Sequence, residues 1–315
     1  MSNERPRLLH IGLCATGLEN PNGLQKAMIR QSTEYREINC GRPDLNAEIA
    51  RVLSEWTPDL CFMQIQRPGI LSPESASLLK SKCFTVNWTG DIRVPTPQWY
   101  FDIGKLIDLT LFTNMNDVHN LLTKSVHADY LDIGIDPEIY TPVGKKIVVP
   151  EIVFFANNYH EKFPMSRYRR EIVAFMQKEF GSRFGIYGSG WVNGNGSFMG
   201  DQRQEAAAYR GAKIGINCSN IEARNYSSDR ILRLMASGAM CLSKWYPGIE
   251  EDYQSGRHLV SWNDLDELKE LCSYYLKEDL ERELIAQAGS VFIRKTKTFD
   301  CMIAGLISLY KKYKV

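Results

Sequence analysis

Ser227, Ser228, Asp229 and Arg230 stand together at the start of an apolar-periodic run, and that grouping suits a phosphate. Serine is a natural helix N-cap. Ile231, Leu232, Leu234 and Met235 follow at helical spacing, and Gly238 ends the run where a left-handed residue is cheap. The unpaired N–H groups and positive dipole end of such a helix attract an anion, and Arg230 adds a guanidinium. The plain alternative is ordinary capping by Ser227 or Ser228, with no ligand.

Similar groupings recur where other apolar runs end. In FFANNYHEKFPMSRYRR, residues 154–170, the run ends near Asn157, and Arg167 enters the next helix as a candidate diphosphate ligand. Arg169 and Arg170 read as a solvated charge run, and His160 as a surface histidine. In YGSGW, Gly188 and Gly190 bare the backbone, and Trp191 either covers a flat ring or packs on its own domain. Another run, GINCSN, ends in Asn217. Glu251 either accepts hydroxyls of a sugar or ribose, or caps a short helix starting near Pro247.

In the first half, Gly17, Asn22 and Gly23 belong to a loop after the first strand candidate, and they do not spell the GxGxxG dinucleotide fingerprint. Asp91 and Arg93 follow a later strand. Asp91 there is a candidate general base that orients or deprotonates an acceptor hydroxyl. Its alternative is an Asx-turn with Arg93 as ion-pair partner.

These groups need strands that end near one another. Strand candidates fall at 8–14, 60–64, 84–88, 109–112 and near Tyr130, then at 152–155, 184–187, 214–217, 240–243 and 258–260. Helix candidates alternate with them at 23–31, 46–56, 73–79 and 116–122, then at 166–180, 202–209, 228–237 and 265–276. Helices at 280–291 and 300–312 close the chain. The alternation predicts an α/β protein with parallel sheets, whose ligands bind outside the carboxyl ends of the strands. Prolines 142 and 150 with Gly144 mark a connector, so the predicted domains are 1–140 and 141–315, with a hinge in 142–150. The closing helix either stays with the second domain or packs back on the first.

The chain of 315 residues is 44% hydrophobic, enough for two cores. No apolar run is long enough to span a membrane, and LLHIGLC is too short for a secretory segment. These features predict a soluble, cytoplasmic protein. The eight cysteines form no CxxC pair, so they read as reduced core thiols rather than disulfides or a zinc site. No DxD pair or His/Asp ligand cluster stands out, so no metal is expected. Residues 1–140 carry 13 Lys+Arg against 17 Asp+Glu, while 141–315 carry 25 against 20. A basic second half suits a phosphorylated small molecule, and an acidic first half disfavours a large polyanion. The basic tail LYKKYKV reads as a closing helix in preference to a membrane-docking one.

In order and spacing, several segments resemble glycosyltransferases of the GT-B fold, group 1 type. They are DIGIDPEIYTP, IVFFANNY, FGIYGSGW and SDRILRLMASGAMCLS, and the likeness is greatest to the spore-maturation-protein-like branch. It covers residues 132–301 well and the first part in outline. The resemblance implies two Rossmann-like domains facing each other across a cleft, with the donor in the second and the acceptor mostly on the first. It implies a nucleotide-diphosphate sugar as co-substrate, no other cofactor, a metal-independent reaction and retention of configuration. Donor contacts would come from Asn157, Arg167, Gly188, Gly190, Trp191, Asn217, Ser227, Ser228, Arg230, Arg233 and Glu251. Gly17, Asn22, Gly23 and Arg93 would lie on the acceptor side with Asp91.

One departure is sharp. The family carries two glutamates around this helix, for donor sugar and ribose, and the matching positions here are Asn225 and Arg233. Arg233 then meets a phosphate or pairs with an acid such as Glu222. Two readings follow: an active glycosyltransferase, or a nucleotide-sugar-binding protein without turnover. The acceptor class stays open among a carbohydrate, a small molecule, a protein and a hydroxylated DNA base, with DNA disfavoured by the charge.

Overall fold

The structure is a computed structural model describing residues 5–13, 17–198 and 200–314. The chain forms two compact units. One is Met1–Gly134 together with Phe299–Val315, and the other is Ile135–Thr298. The passage between them falls at 134/135, ahead of the predicted hinge. Residues 142–150 are instead tied inside the second unit. Arg210 donates to the Lys145 carbonyl at 2.8 Å and the Thr141 carbonyl at 3.0 Å, and the Ile147 N–H donates to the Ala207 carbonyl at 3.0 Å. Prolines remove backbone donors from that stretch, but its carbonyls still find partners.

The first unit is built on six parallel strands in the order β2-β1-β3-β4-β5-β6. They are β1 (Arg7–Gly12), β2 (Glu34–Asn39), β3 (Leu60–Met63), β4 (Phe84–Thr89), β5 (Leu109–Phe112) and β6 (Ala128–Tyr130), interleaved with α1 (Gly23–Gln31), α2 (Leu45–Glu55), α3 (Pro73–Lys82), α4 (Gln98–Gly104) and α5 (Met115–Leu122). Each inner strand is buried on both faces, which explains its continuous apolar run. Leu8, Leu60 and Phe62 point to one side, while Leu9, Ile11, Cys61 and Met63 point to the other.

The second unit has the order β11-β10-β9-β7-β8, again all parallel. Its strands are β7 (Ile152–Phe155), β8 (Phe184–Tyr187), β9 (Ile214–Asn217), β10 (Met240–Lys244) and β11 (Val260–Trp262). The helices are α6 (Ser166–Phe180), α7 (Gln202–Gly211), α8 (Asp229–Ala236), α9 (Ile249–Asp252), α10 (Leu265–Tyr275) and α11 (Asp279–Thr296). A final helix, α12 (Phe299–Tyr313), returns to the first unit, where Met302, Ile303 and Leu306 are buried with Leu8, Leu60 and Leu109. Residues 309–313 of the basic tail thus belong to a packed closing helix, with Lys312 donating to Asp129 at 2.9 Å. Among the described residues, no helix is long and apolar enough to cross a membrane.

Both sheets are doubly wound. In such sheets the ligand crevice opens where the strand order reverses, at the carboxyl ends. In the second unit β7 has β8 on one side and β9 on the other. The loop after β7 and the loop leading into α8 therefore lie at the switch point. Seven cysteines fall in the described residues and all are free thiols, while Cys14 lies outside the described residues.

Candidate functional site

A cavity of about 610 Å³ opens in the second unit at the ends of β7 and β8. Phe155, Tyr187 and Phe198 give it an aromatic wall, with Phe155–Tyr187 centroids 5.0 Å apart and Tyr187–Phe198 centroids 5.2 Å apart. Asn157 and Gly188 line the turns beside them. Gly188 has φ 147°, and a Cβ there would lie 2.3 Å from the Ala156 carbonyl oxygen, so no other residue fits without moving the backbone. The Asn157 side chain accepts from the Ser189 N–H at 2.9 Å and so joins the two turns.

One end of the cavity is cationic. Ser228 is the N-cap of α8 by backbone geometry but makes no side-chain cap bond. Its hydroxyl donates instead to Asn217 Oδ1 at 3.4 Å, which leaves the first N–H groups of α8 without that acceptor. Arg230 lines the cavity, and its Nε and Nη2 are buried without a hydrogen-bond partner. Behind it lies Arg169, only 2% exposed, whose Nε and Nη2 are likewise unpaired. Burial first, and the facing Arg230 charge second, pull the Arg169 guanidinium down to about 9. Two guanidiniums of one sign, each with Nε and Nη2 buried and unpaired and one of them at the start of α8, suit an anion. Cys218 beside them is a thiol, pushed up to about 11 by burial despite both arginines.

Next to this cationic end is an ion-pair network. Arg233 donates to Glu205 Oε2 at 3.2 Å and to Asp229, and Tyr140 donates to the same Glu205 oxygen at 2.6 Å. Burial alone would lower Arg233, but Asp229 and Glu205 more than offset it and hold it raised. Arg233 is therefore neutralised by carboxylates from α7 and α8. Its partner is not Glu222, and it does not meet the phosphate end.

The structure brings Asn157, Gly188, Arg230 and Arg233 to one cavity, with Ser227 and Ser228 buried at the α8 turn behind it. Other candidates fall elsewhere. Arg167 points to solvent with its side chain 81% exposed and pairs with Glu171 one turn on, so it is not a diphosphate ligand in this geometry. The Trp191 indole N–H donates to the Ala156 carbonyl at 2.5 Å, and the ring packs on the core of the second unit. Gly190 serves close packing, since a Cβ would sit 2.6 Å from the Asn158 carbonyl oxygen. Asn217 is a buried link, donating to Ser243 at 3.0 Å. Glu251 lies in α9, accepts from Asn225 at 3.0 Å and pairs with Arg224, outside the cavity lining.

In the first unit, Asn22 caps α1 in a reciprocal box with Gln25, Gly23 is the first helical residue and Gly17 has φ 64°. Asp91 is exposed and faces Arg93 at 3.7 Å, while Arg93 donates to Tyr100 at 2.6 Å. Among the described residues no group of three or more His, Cys, Asp or Glu is placed to hold a metal ion. The sequence reading missed Arg169 and Glu205. For Arg169 a signal existed: it precedes Ile172, Val173 and Met176 at helical spacing, so it lies on the buried stripe of α6. Of the three arginines only Arg167 is solvated, since Arg170 is part-buried and donates to the His160 carbonyl and to Glu161.

Residues 167–307 match a family model described as glycosyl transferase-like. That match spans less than half of the chain, and the glycosyltransferase class expected from the sequence agrees with it over those residues. Among solved structures, the chain is similar to HepE of Anabaena in complex with UDP and glucose, at 10% identity and TM-score 0.62, covering 96% of this chain and 99% of that one. It is also similar to sucrose-phosphate synthase from Thermosynechococcus elongatus, at 11% identity and TM-score 0.64, covering 97% and 98%. A glycosyltransferase from Rickettsia africae aligns at 13% identity and TM-score 0.58, covering 99% of both chains. At these identities the likeness establishes the fold, which is GT-B. No curated protein matches the chain by sequence.

Proposed function

We propose that the chain moves a sugar from a nucleotide-diphosphate sugar to a hydroxyl of an acceptor. The carrying observation is Arg230 at the start of α8, which lines a cavity with an aromatic wall and, like the buried Arg169 of α6 near it, holds Nε and Nη2 buried without a partner. Charge that grows on the leaving diphosphate would be stabilised by these guanidiniums and the helix N–H groups, in a site poor in water. Removing one such donor typically costs about 100- to 1,000-fold in rate. In this reading the arginines supply the positive charge, no metal or other cofactor is needed, and the sugar is transferred with retention. The Anabaena HepE structures hold UDP and UDP-glucose, which makes a uridine diphosphate sugar the first donor to test.

The remaining assignments belong to the same reading. Asp91 and Arg93, with Gly17, Asn22 and Gly23, lie on the acceptor side in the first unit. Asp91 orients or deprotonates the hydroxyl, and Glu251 beside Asn225 accepts hydroxyls of the donor sugar. The chain is placed nearest the spore-maturation-protein-like branch and in the cytoplasm. The acceptor is a carbohydrate, a small molecule or a protein in preference to DNA.

A second reading is a nucleotide-sugar-binding protein without turnover. Its specific support is Asn225, an amide where the resembling enzymes carry a glutamate. A thermal-shift panel of nucleoside diphosphates and nucleotide sugars, followed by donor hydrolysis on every binder, separates the two. Binding with turnover supports the transferase, and binding without turnover across a broad acceptor panel supports the silent protein. A panel with no binder overturns both.

A further inference from the structure

Arg233 lines the cavity, and a guanidinium has five donors and no acceptor. It cannot receive a hydroxyl proton. Two carboxylates stand against it on the same cavity wall, Glu205 from α7 and Asp229 one turn earlier on α8. Resting on the donor reading above, we propose that Glu205 and Asp229 accept the two ribose hydroxyls of the donor nucleotide, with Arg233 as their fixed counterion.

The geometry argues for this division of labour. Glu205 Oε2 takes both Tyr140 and Arg233, and among the described residues Oε1 has no partner. Asp229 gives Oδ2 to Arg233, and its Oδ1 likewise has none. Each carboxylate thus keeps one oxygen for a donor from a ligand. Arg233 cannot swing away to a phosphate, because it is held by both acids and lies 5.6 Å over the Tyr140 ring. The spare carboxylate oxygens of Glu205 and Asp229 favour hydroxyl donors over phosphate oxygens. The Arg169 and Arg230 end does the reverse. A nucleoside diphosphate has the matching polarity, anion at one end and a vicinal diol beside it. Because Asp229 and Arg230 are consecutive residues, the two ends are set close together by the first turn of α8.

The test measures affinity by calorimetry for UDP, 2′-deoxy-UDP and 3′-deoxy-UDP on the intact chain and on Glu205→Gln and Asp229→Asn, with GDP, ADP and CDP as base controls. If UDP proves not to be the preferred base, the deoxy analogues of the preferred one are used. The intact chain is expected to favour the full ribose about tenfold or more over each deoxy analogue. Both substitutions should bring at least one of those ratios towards one while diphosphate binding remains measurable. Asp229→Asn provides the readout if Glu205→Gln does not fold. Binding of a nucleoside diphosphate with no ribose preference, or an unchanged preference in the variants, overturns the clamp and leaves the donor reading standing. Failure of every nucleoside diphosphate to bind overturns both.

Discussion

Replacing Arg169 by methionine should make the protein more stable without ligand and less responsive to ligand. Holding a guanidinium that burial has pulled down to about 9 is a penalty on the order of 5 kcal/mol at about 1.4 kcal/mol per pH unit. A flexible apolar chain of similar length removes the charge and fills most of the space, so a net gain of about 1–3 kcal/mol is expected. With UDP at about 100 times its dissociation constant, the parent gains about 2.7 kcal/mol. Loss of a charge-assisted contact weakens binding about 10- to 100-fold, and the variant then gains only about 0.4–1.4 kcal/mol at the same concentration. Urea unfolding with and without UDP reads both quantities. The pH dependence adds a check. Above about 9 the folded Arg169 sheds its proton while the unfolded one keeps it, so the unfolded state binds more protons and the parent's stability rises relative to the variant. The advantage of Arg169→Met should therefore shrink as pH climbs through 9. A variant less stable than its parent without ligand, or one with the full UDP gain, refutes the idea that this guanidinium is a buried anion receptor.

Other perturbations probe neighbouring parts of the argument. Arg230→Ala should weaken diphosphate binding by about 1–3 kcal/mol, and unchanged affinity in calorimetry removes Arg230 from the site. Gly188→Ala forces a side chain onto the Ala156 carbonyl at positive φ; a stability loss of about 2 kcal/mol or more is expected by thermal melting, and a neutral result contradicts the turn geometry. His10 in β1 is buried, bonded to Tyr35 and Gln64, and lowered chiefly by burial. Below about 6.5 the unfolded His takes a proton that the folded one resists, so stability should fall as acidity increases, and His10→Gln should flatten that slope in unfolding curves. Asp91→Asn should leave donor affinity intact and slow transfer; full transfer activity with intact donor binding excludes a base role.

Much of the scaffold was legible because parallel strands buried on both faces are continuous apolar runs. Leu109–Phe112, Ile152–Phe155, Phe184–Tyr187 and Ile214–Asn217 have the predicted bounds for that reason. β2 (Glu34–Asn39) escaped detection because it is an edge strand, EYREIN, whose residues are mostly polar and part-exposed. α4 (Gln98–Gly104) escaped because Pro95 and Pro97 mask its start. The anion end of the site was half legible. The cap and Arg230 follow from local pattern, whereas Arg169 needed its periodicity weighed above its charge. Glu205 had no local signal at all, since its role comes from α7 packing beside α8. For Trp191 and Arg167 residue type suggested a ligand contact, while the fold packs the first on its own domain and turns the second to solvent.

The place of α12 has a consequence for synthesis. Met302, Ile303 and Leu306 complete an apolar layer whose other members, Leu8, Leu60 and Leu109, leave the ribosome long before them. Throughout translation of residues 135–298, only α1, through Ala27 and Met28, covers that side of the early sheet, and the rest stays a sticky surface for chaperones or for neighbouring nascent chains. A fragment comprising 1–134 alone should therefore precipitate, and supplying a peptide of residues 299–315 in trans should rescue it.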